Sequence, residues 1–232
     1  MEAKKPIIIG HRGAMGHETE NTIASIEKAL ALAVDMIEID VFRIASGEIV
    51  VFHDDEVDRL TNGYGKIENY TLQELKKLEV TGGHRIPLLT EVLDVINGKV
   101  AVNIELKGAN TAEAVCIIIY HYIKYKEWKL NQFLISSFNW NELKKMREKD
   151  KQMQIAVLIE EKDPLQAIPV AKKLDAVAVN PDFTLLTAAN NLEIKQAGFK
   201  IYAWTVNSPQ NINLMKRFGI DGIITNYPER LK

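Results

Sequence analysis

Residues 36–53 read MIEIDVFRIASGEIVVFH, and this stretch decides how the strands of the chain must be counted. Two apolar runs, 36–41 and 49–53, are separated by only a few residues, which is too short for a helical crossover between parallel strands. Ser46-Gly47 favours a turn at this point. The two runs therefore predict an antiparallel hairpin that places His53 across from residues 38–40.

The rest of the chain alternates short apolar runs with amphipathic stretches, a pattern typical of a parallel sheet with crossover helices. Further strands are predicted at 7–10, 100–106, 133–136, 154–158, 176–179, 199–204 and 221–225. Helices are predicted at 22–33, 70–78, 89–96, 111–127, 139–149, 164–173, 184–197 and 208–217. With 49–53 assigned to the hairpin, the other strands predict a (β/α)₈ TIM barrel, whose active sites lie at the carboxyl ends of the strands.

Residues 54–88 fit this alternation poorly, since they contain Thr61-Asn62-Gly63-Tyr64-Gly65, one short helix, Gly82-Gly83 and Pro87. We expect them to form a small insertion over the mouth of the barrel, directly after His53. Residues 1–232 are accordingly expected to form a single domain, a size that suits one barrel of roughly 250 residues.

Composition excludes several classes of partner. The chain has 232 residues, 26% of them charged, with a formal net charge of −2, so no basic excess indicates a nucleic-acid partner. The first residues lack the apolar segment of a signal peptide, and no apolar run approaches the ~20 residues of a membrane span. Cytoplasmic residence is the resulting expectation. The sequence does not indicate the oligomeric state.

Three carboxylates are predicted to share one end of the barrel. Glu38 and Asp40 lie on the same face of their strand, because side chains alternate with period two, and Glu105 lies near the end of another strand. Carboxylate oxygens suit a hard divalent cation, Ca²⁺ or Mg²⁺. Two alternatives stay open at this point. One is structural ion pairing with nearby basic residues, and the other is a glycosidase carboxylate pair, which leaves the neighbouring histidines without a role.

Two histidines, His11 and His53, follow strands that end near these carboxylates. Imidazole titrates near neutrality, so the two are candidates for general base and general acid. The alternative is a pair of hydrogen-bonded core histidines. Convergence on the carboxylates favours catalysis.

Positive and aromatic side chains complete the predicted site. Arg12 and Lys107 supply the charge that an anionic phosphate requires, although they could equally neutralise the carboxylates. Trp204 ends a strand, where it either forms a wall of a pocket or packs in the core. Glu20-Asn21-Thr22 opens the first helix and is read either as a helix cap or as a group that orients His11.

An ordered series of short motifs resembles the glycerophosphodiester phosphodiesterase family over essentially the whole chain. The series contains His11-Arg12-Gly13, Glu20-Asn21-Thr22, Glu38-Ile39-Asp40-Val41, His53-Asp54, Asp58-Arg59-Leu60-Thr61-Asn62-Gly63-Tyr64-Gly65, Ile86-Pro87-Leu88-Leu89-Thr90-Glu91-Val92-Leu93, Ile104-Glu105-Leu106-Lys107, Ser136-Ser137-Phe138, Trp204-Thr205-Val206-Asn207 and Asp221-Gly222-Ile223-Ile224-Thr225-Asn226-Tyr227-Pro228. Each motif is weak alone, but their order and spacing are specific.

The resemblance implies a TIM-barrel hydrolase that converts a small-molecule glycerophosphodiester to glycerol 3-phosphate and an alcohol. It assigns acid–base roles to His11 and His53. The carboxylates Glu38, Asp40 and Glu105 are assigned to the metal, Arg12 and Lys107 to the phosphate, and Trp204 to the substrate pocket.

Two residues depart from the family pattern. Thr19 stands where the family often has proline, and Asn226 where it often has aspartate. We expect neither to touch a catalytic residue.

Two other functions stay open on the same scaffold: a lysophospholipase D or phospholipase C-like enzyme, and an inactive phospho-ligand-binding protein. The polar composition of 54–88 disfavours the first, and the presence of every inferred catalytic residue disfavours the second.

Overall fold

The structure is a computed structural model that describes residues 5–160 and 163–232. Its strands are β1 (Ile7–Gly10), β2 (Met36–Arg43), β3 (Ile49–Val51), β4 (Ala101–Leu106), β5 (Phe133–Ser137), β6 (Gln154–Ile159), β7 (Ala178–Pro181), β8 (Lys200–Ala203) and β9 (Gly222–Thr225). Its α-helices are α1 (Ile23–Ala31), α2 (Leu72–Leu75), α3 (Leu89–Ile96), α4 (Thr111–Tyr125), α5 (Trp140–Lys149), α6 (Ala167–Lys173), α7 (Ala188–Gln196) and α8 (Pro209–Phe218).

Eight parallel strands close into a barrel, as the alternating pattern predicts. The strands follow the order β1-β9-β8-β7-β6-β5-β4-β2, and β1 pairs with β2 to complete the ring. The crossovers carry helices, so each strand returns to the same end of the barrel as its neighbours. The (β/α)₈ prediction is therefore confirmed, and the carboxyl ends of the strands meet at one face.

The remaining strand, β3, forms the predicted hairpin with β2. The two pair antiparallel, with Val41 opposite Val51 and Arg43 opposite Ile49. Just beyond this ladder, the Phe52 N–H donates to the Asp40 carbonyl at 3.0 Å. The hairpin thus carries His53, the next residue, to the carboxyl end of β2.

Among residues 5–160 and 163–232, the buried apolar side chains form three clusters. The largest fills the space between the barrel and its helices and includes Ile37, Ile39 and Val41 of β2. A second cluster lies inside the barrel and contains Ile9, Met36, Leu134, Ala156, Ala178, Tyr202 and Ile224. Neighbouring residues of β2 belong to opposite clusters because side chains alternate along a strand. Glu38 and Asp40, which follow Met36 at spacings of two and four, therefore face the barrel interior.

The third cluster belongs to segment 54–88 and the strands beside it. Val57, Ile67, Leu75, Val80 and Ile86 pack on side chains of the β2–β3 hairpin. Most of this segment is irregular, and Thr71 caps the short α2 by accepting from the Glu74 N–H. The segment is thus held on the barrel by apolar contacts as well as by its two chain connections. In the described part of the chain, no helix has the length and apolarity that crossing a membrane demands.

Candidate active site

Three carboxylates meet at the carboxyl ends of β2 and β4. Asp40 stands directly opposite Glu105 in the β2–β4 ladder, and Glu38 stands opposite Asn103. One oxygen from each of Glu38, Asp40 and Glu105 lies within 4.8 Å of the other two, and all three residues are buried. Parallel pairing thus brings together the residues that the sequence predicts as metal ligands.

The electrostatics of these carboxylates suit a cation. Burial, followed by the negative charges of Asp40 and Glu105, raises the pKa of Glu38 well above its usual value. Burial and Asp40 likewise raise the pKa of Glu105 to about 7. Glu105 Oε1 is buried and receives no directed hydrogen bond from the described residues. Like charges this close are costly unless a cation neutralises them, so the donor set fits a hard divalent ion.

The β1–α1 loop holds the acidic cluster in place. The Arg12 N–H donates to Glu38 Oε2 at 2.9 Å, and the Asn21 amide donates to Asp40 Oδ2 at 2.9 Å. The Arg12 guanidinium lies 2.6 Å from Glu20 Oε1 and 3.4 Å from Asp40 Oδ2. Arg12 therefore neutralises the carboxylates while it also lines the cavity beside them.

This loop decides between the two readings of Glu20-Asn21-Thr22. Thr22 is the N-cap of α1 and accepts from the Ser25 N–H, so the cap reading is correct for that residue. Glu20 and Asn21 bond to Arg12 and Asp40 instead. The interpretation that this motif orients His11 is wrong. Gly13 allows the tight loop, since a Cβ there would lie 2.4 Å from the Ser25 hydroxyl.

The orienting partner of His11 is Asn226, which follows β9. Asn226 Oδ1 lies 2.7 Å from His11 Nδ1, and His11 Nε2 lies 4.0 Å from Glu38 Oε2. Burial and the nearby Arg12 charge lower the pKa of His11 to about 4, although the Asn226 bond acts in the opposite direction. Asn226 thus contacts a histidine that the sequence predicts to be catalytic, because β9 pairs with β1 in the closed barrel. Thr19, the other departure, bonds to the Thr81 carbonyl.

His53 has a different set of partners. Its Nδ1 lies 2.7 Å from Asp54 Oδ1, and its Nε2 lies 3.3 Å from Lys107 Nζ. Arg59 binds Asp54 and also donates two bonds to Glu20, so it links segment 54–88 to the β1–α1 loop. Burial disfavours ionisation of Asp54, but the bonds from Arg59 and His53 outweigh it and lower the pKa of Asp54 to about 2.

Lys107 lies between His53 and the acidic cluster. Its Nζ is 3.2 Å from Glu105 Oε1 and lies over the ring of Phe138 at 5.9 Å from the centroid. Burial disfavours the charged amine, but Glu105 and Asp40 outweigh burial and raise the pKa of Lys107. The ammonium group therefore stays charged at neutral pH, close to where an anionic substrate would enter.

One cavity of about 370 Å³ connects these groups, a size suited to a small molecule. All of the predicted site residues except Asp40 line it: His11, Arg12, Glu38, His53, Glu105, Lys107 and Trp204. Trp204 forms a wall rather than buried core. Its indole N–H donates to the Asn180 carbonyl at 2.8 Å, and its ring meets Phe138 edge to face. Asp40 lies immediately behind the lining, held by Asn21 and Arg12.

Sequence reasoning assigned no role to several residues that the structure places here. Asn103 and Ser136 line the cavity from β4 and β5. The alternation that selects Glu105 also selects Asn103, two residues earlier, so the pattern contains a signal for it. Arg59 and Asn226 carry no comparable signal, because their contacts join segments far apart in the sequence.

Known proteins are similar to this chain along nearly its whole length. The Glycerophosphoryl diester phosphodiesterase family matches residues 11–230. A glycerophosphodiester phosphodiesterase of Caldanaerobacter subterraneus subsp. tengcongensis is 34% identical, over 98% of this chain and 96% of that protein.

Two solved structures are also similar along almost their whole length. An Oleispira antarctica phosphodiesterase in complex with the product sn-glycerol-3-phosphate has a TM-score of 0.88 at 28% identity, covering 97% of this chain and 95% of that one. A glycerophosphodiester phosphodiesterase of Thermotoga maritima has a TM-score of 0.78 at 28% identity, covering 96% of each chain.

Proposed function

The chain belongs to the glycerophosphoryl diester phosphodiesterase family, and we propose that it hydrolyses small glycerophosphodiesters to glycerol 3-phosphate and an alcohol by metal-dependent catalysis with two histidines. The observation that carries the proposal is the convergence of His11 and His53 on a cluster of three buried carboxylates, two of which line the same cavity as the histidines. A relative that contains sn-glycerol-3-phosphate as its product supports the assignment of the products.

The charges around the cavity suit a phosphate diester. Glu38, Asp40 and Glu105 would hold Ca²⁺ or Mg²⁺, which when bound neutralises charge on the phosphoryl oxygens. Lys107 and Arg12, which both line the cavity, add positive charge to it. Arg12 and Lys107 are already paired with carboxylates. Each therefore neutralises a carboxylate and also binds the phosphate.

The positions of the histidines suggest separate roles. His53 also lines a second, more open cavity that contains Asp54, Asp55 and Glu56 of segment 54–88, whereas His11 is tied to β9. The leaving alcohol must depart toward the open side. We therefore assign protonation of the leaving alkoxide to His53 and deprotonation of the nucleophile to His11.

The nucleophile is either water or the 2-hydroxyl of the glycerol, and the second route forms a cyclic phosphate before glycerol 3-phosphate. Rapid quenching during the first turnovers separates the two. A cyclic glycerol phosphate that appears and then decays identifies the hydroxyl route. Direct incorporation of labelled oxygen from water with no cyclic compound identifies the water route.

The central test is an assay of metal-supplemented protein against glycerophosphocholine, glycerophosphoethanolamine and a lysophospholipid. The proposal expects glycerol 3-phosphate with choline or ethanolamine as the products. Release of glycerol together with phosphocholine would contradict it. Preferred turnover of the lysophospholipid would identify a lipid phosphodiesterase, and no turnover of any substrate would favour a binding protein.

A further inference from the structure

Below the acidic cluster, part of the barrel interior is polar. Ala101 packs in the interior cluster, so Asn103 and Glu105 face the same interior space at spacings of two and four. On the next strand, Ser136 follows Leu134 of that cluster at the same spacing. Interior positions of this fold are usually filled by branched apolar side chains. Asn103 and Ser136 therefore interrupt a layer that should be apolar.

Both side chains are buried without a partner for one polar atom. Asn103 is 1% exposed and Ser136 is 0% exposed. Among residues 5–160 and 163–232, neither the Asn103 Oδ1 nor the Ser136 Oγ has a hydrogen-bond partner. An unsatisfied buried polar atom costs about 1–3 kcal/mol, so such groups normally bind water or a ligand. Both residues also form part of the lining of the cavity.

These two residues lie at the closed end of the cavity. Asn103 pairs with Leu134, and Ser136 pairs with Ala156, both of which belong to the apolar cluster that fills the barrel below. The opposite end of the cavity is lined by Asp55 and Glu160, which are exposed. A small group therefore suits the closed end, and a bulkier alcohol is better accommodated at the open end.

We infer that Asn103 and Ser136 form a hydroxyl-binding floor that receives the terminal hydroxyl of the substrate's glycerol. The inference rests on the proposed hydrolysis of glycerophosphodiesters and adds residues that select the glycerol end. The Asn103 Oδ1 accepts a hydrogen bond from a hydroxyl, and the Ser136 Oγ can both donate and accept one. Together they satisfy one alcohol group, which matches a polyol better than an acyl chain or a second phosphate.

The test compares glycerophosphocholine with propane-1,2-diol phosphocholine, which lacks only the terminal hydroxyl. Wild-type enzyme should prefer the glycerol ester by about tenfold or more in kcat/KM, because a site built to bond a hydroxyl discriminates against the analogue without it. Ser136→Ala and Asn103→Ala should each reduce this preference severalfold toward unity. Asn191→Ala is the matched control, since Asn191 Oδ1 is also buried and unpartnered but lies on α7, outside the barrel. Its preference should equal that of wild type.

Binding of sn-glycerol 3-phosphate and of propane-1,2-diol 1-phosphate, measured by calorimetry, gives a readout that does not depend on turnover. If wild-type protein binds the glycerol compound more tightly and both variants lose this preference, the hydroxyl-binding floor is supported even when no hydrolysis is seen. Turnover by wild-type enzyme with less than twofold preference overturns the floor while the proposed function stands. A preference that persists in both variants also overturns it and leaves the two residues as sites for buried water.

Discussion

His11 and His53 face the same cavity from two regions that are built differently. His11 follows β1 and bonds to a neutral amide from the end of β9, so the closed ring of strands positions both members of the pair. His53 follows the hairpin and bonds to the carboxylate of Asp54, which is held in turn by Arg59. The side chain of His53 is 28% exposed, against 14% for His11.

The difference separates two ways of fixing a side chain with a proposed catalytic role. Backbone pairing of β1 with β9 brings Asn226 to His11, and the bond between the two side chains orients the imidazole. A chain of charges positions His53, running from Asp54 through Arg59 and Glu20 to Arg12. We therefore expect His53 to depend on residues of segment 54–88, and His11 to depend on Asn226.

Removal of divalent cations tests the metal dependence that we propose for both histidine regions. Exhaustive dialysis against EDTA should lower kcat/KM by at least about ten-thousandfold, roughly 5 kcal/mol of barrier, since both histidines act beside one acidic cluster. Addition of Ca²⁺ or Mg²⁺ should restore the activity. Full activity in metal-free buffer would contradict the proposed metal dependence.

Removal of each imidazole separates the two roles. His11→Ala and His53→Ala should each lower kcat by about a thousandfold, with little change in thermal stability. A diester with a 4-nitrophenol leaving group needs no protonation of that group, so it should largely rescue His53→Ala but not His11→Ala. Rescue of His11→Ala alone would reverse the assignment, and near wild-type kcat in both folded variants would contradict the mechanism.

Substitution of Asn226 tests whether its hydrogen bond orients His11. Asn226→Leu should lower kcat by about ten- to a hundredfold with little change in KM, because His11 loses the acceptor for its Nδ1 proton. Asn226→Asp retains an acceptor and should recover most of that loss. If the Leu variant matched wild type, Asn226 would not position His11.

Loss of Arg59 should weaken the His53 region alone. Arg59→Met removes the link between Asp54 and Glu20, and we expect kcat to fall about tenfold, because misplacement of a catalytic group is costly. Arg85→Met is the control, since Arg85 lies in the same segment and is exposed, 4.0 Å from its carboxylate neighbour Glu79. Equal effects of the two variants would indicate general loosening of the segment rather than positioning of His53.

The smallest expected effect concerns stability at low pH. The pKa of Asp54 is lowered to about 2, below that of an unfolded chain, so its contribution is fully present above about pH 4 and is lost as pH falls toward 2. Because Arg59 is half exposed, this contribution should be only about 1 kcal/mol. Urea unfolding of Asp54→Asn should therefore differ from wild type at pH 6 and converge with it near pH 2.

The sequence predicted the barrel because its information is local. Alternation of apolar runs and amphipathic stretches marks the strands and helices, and the short spacing between 36–41 and 49–53 excludes a crossover there. The helix α3 begins and ends where the pattern predicts, at 89 and 96. Strand periodicity alone places Glu38 and Asp40 on one face of β2, and Asn103 and Glu105 on one face of β4.

Tertiary structure alone decided how these groups are paired. The contact between His11 and Asn226 joins residues 215 positions apart, and it exists because β9 pairs with β1 when the ring closes. The bond between Arg59 and Glu20 depends on how an irregular segment packs on the barrel, which no periodicity encodes. The pattern of residues along each strand thus determined which faces are polar. The closure of the barrel and the packing of segment 54–88 determined which polar groups meet and which stay without a partner, because those contacts depend on distances in space rather than on spacing in the chain.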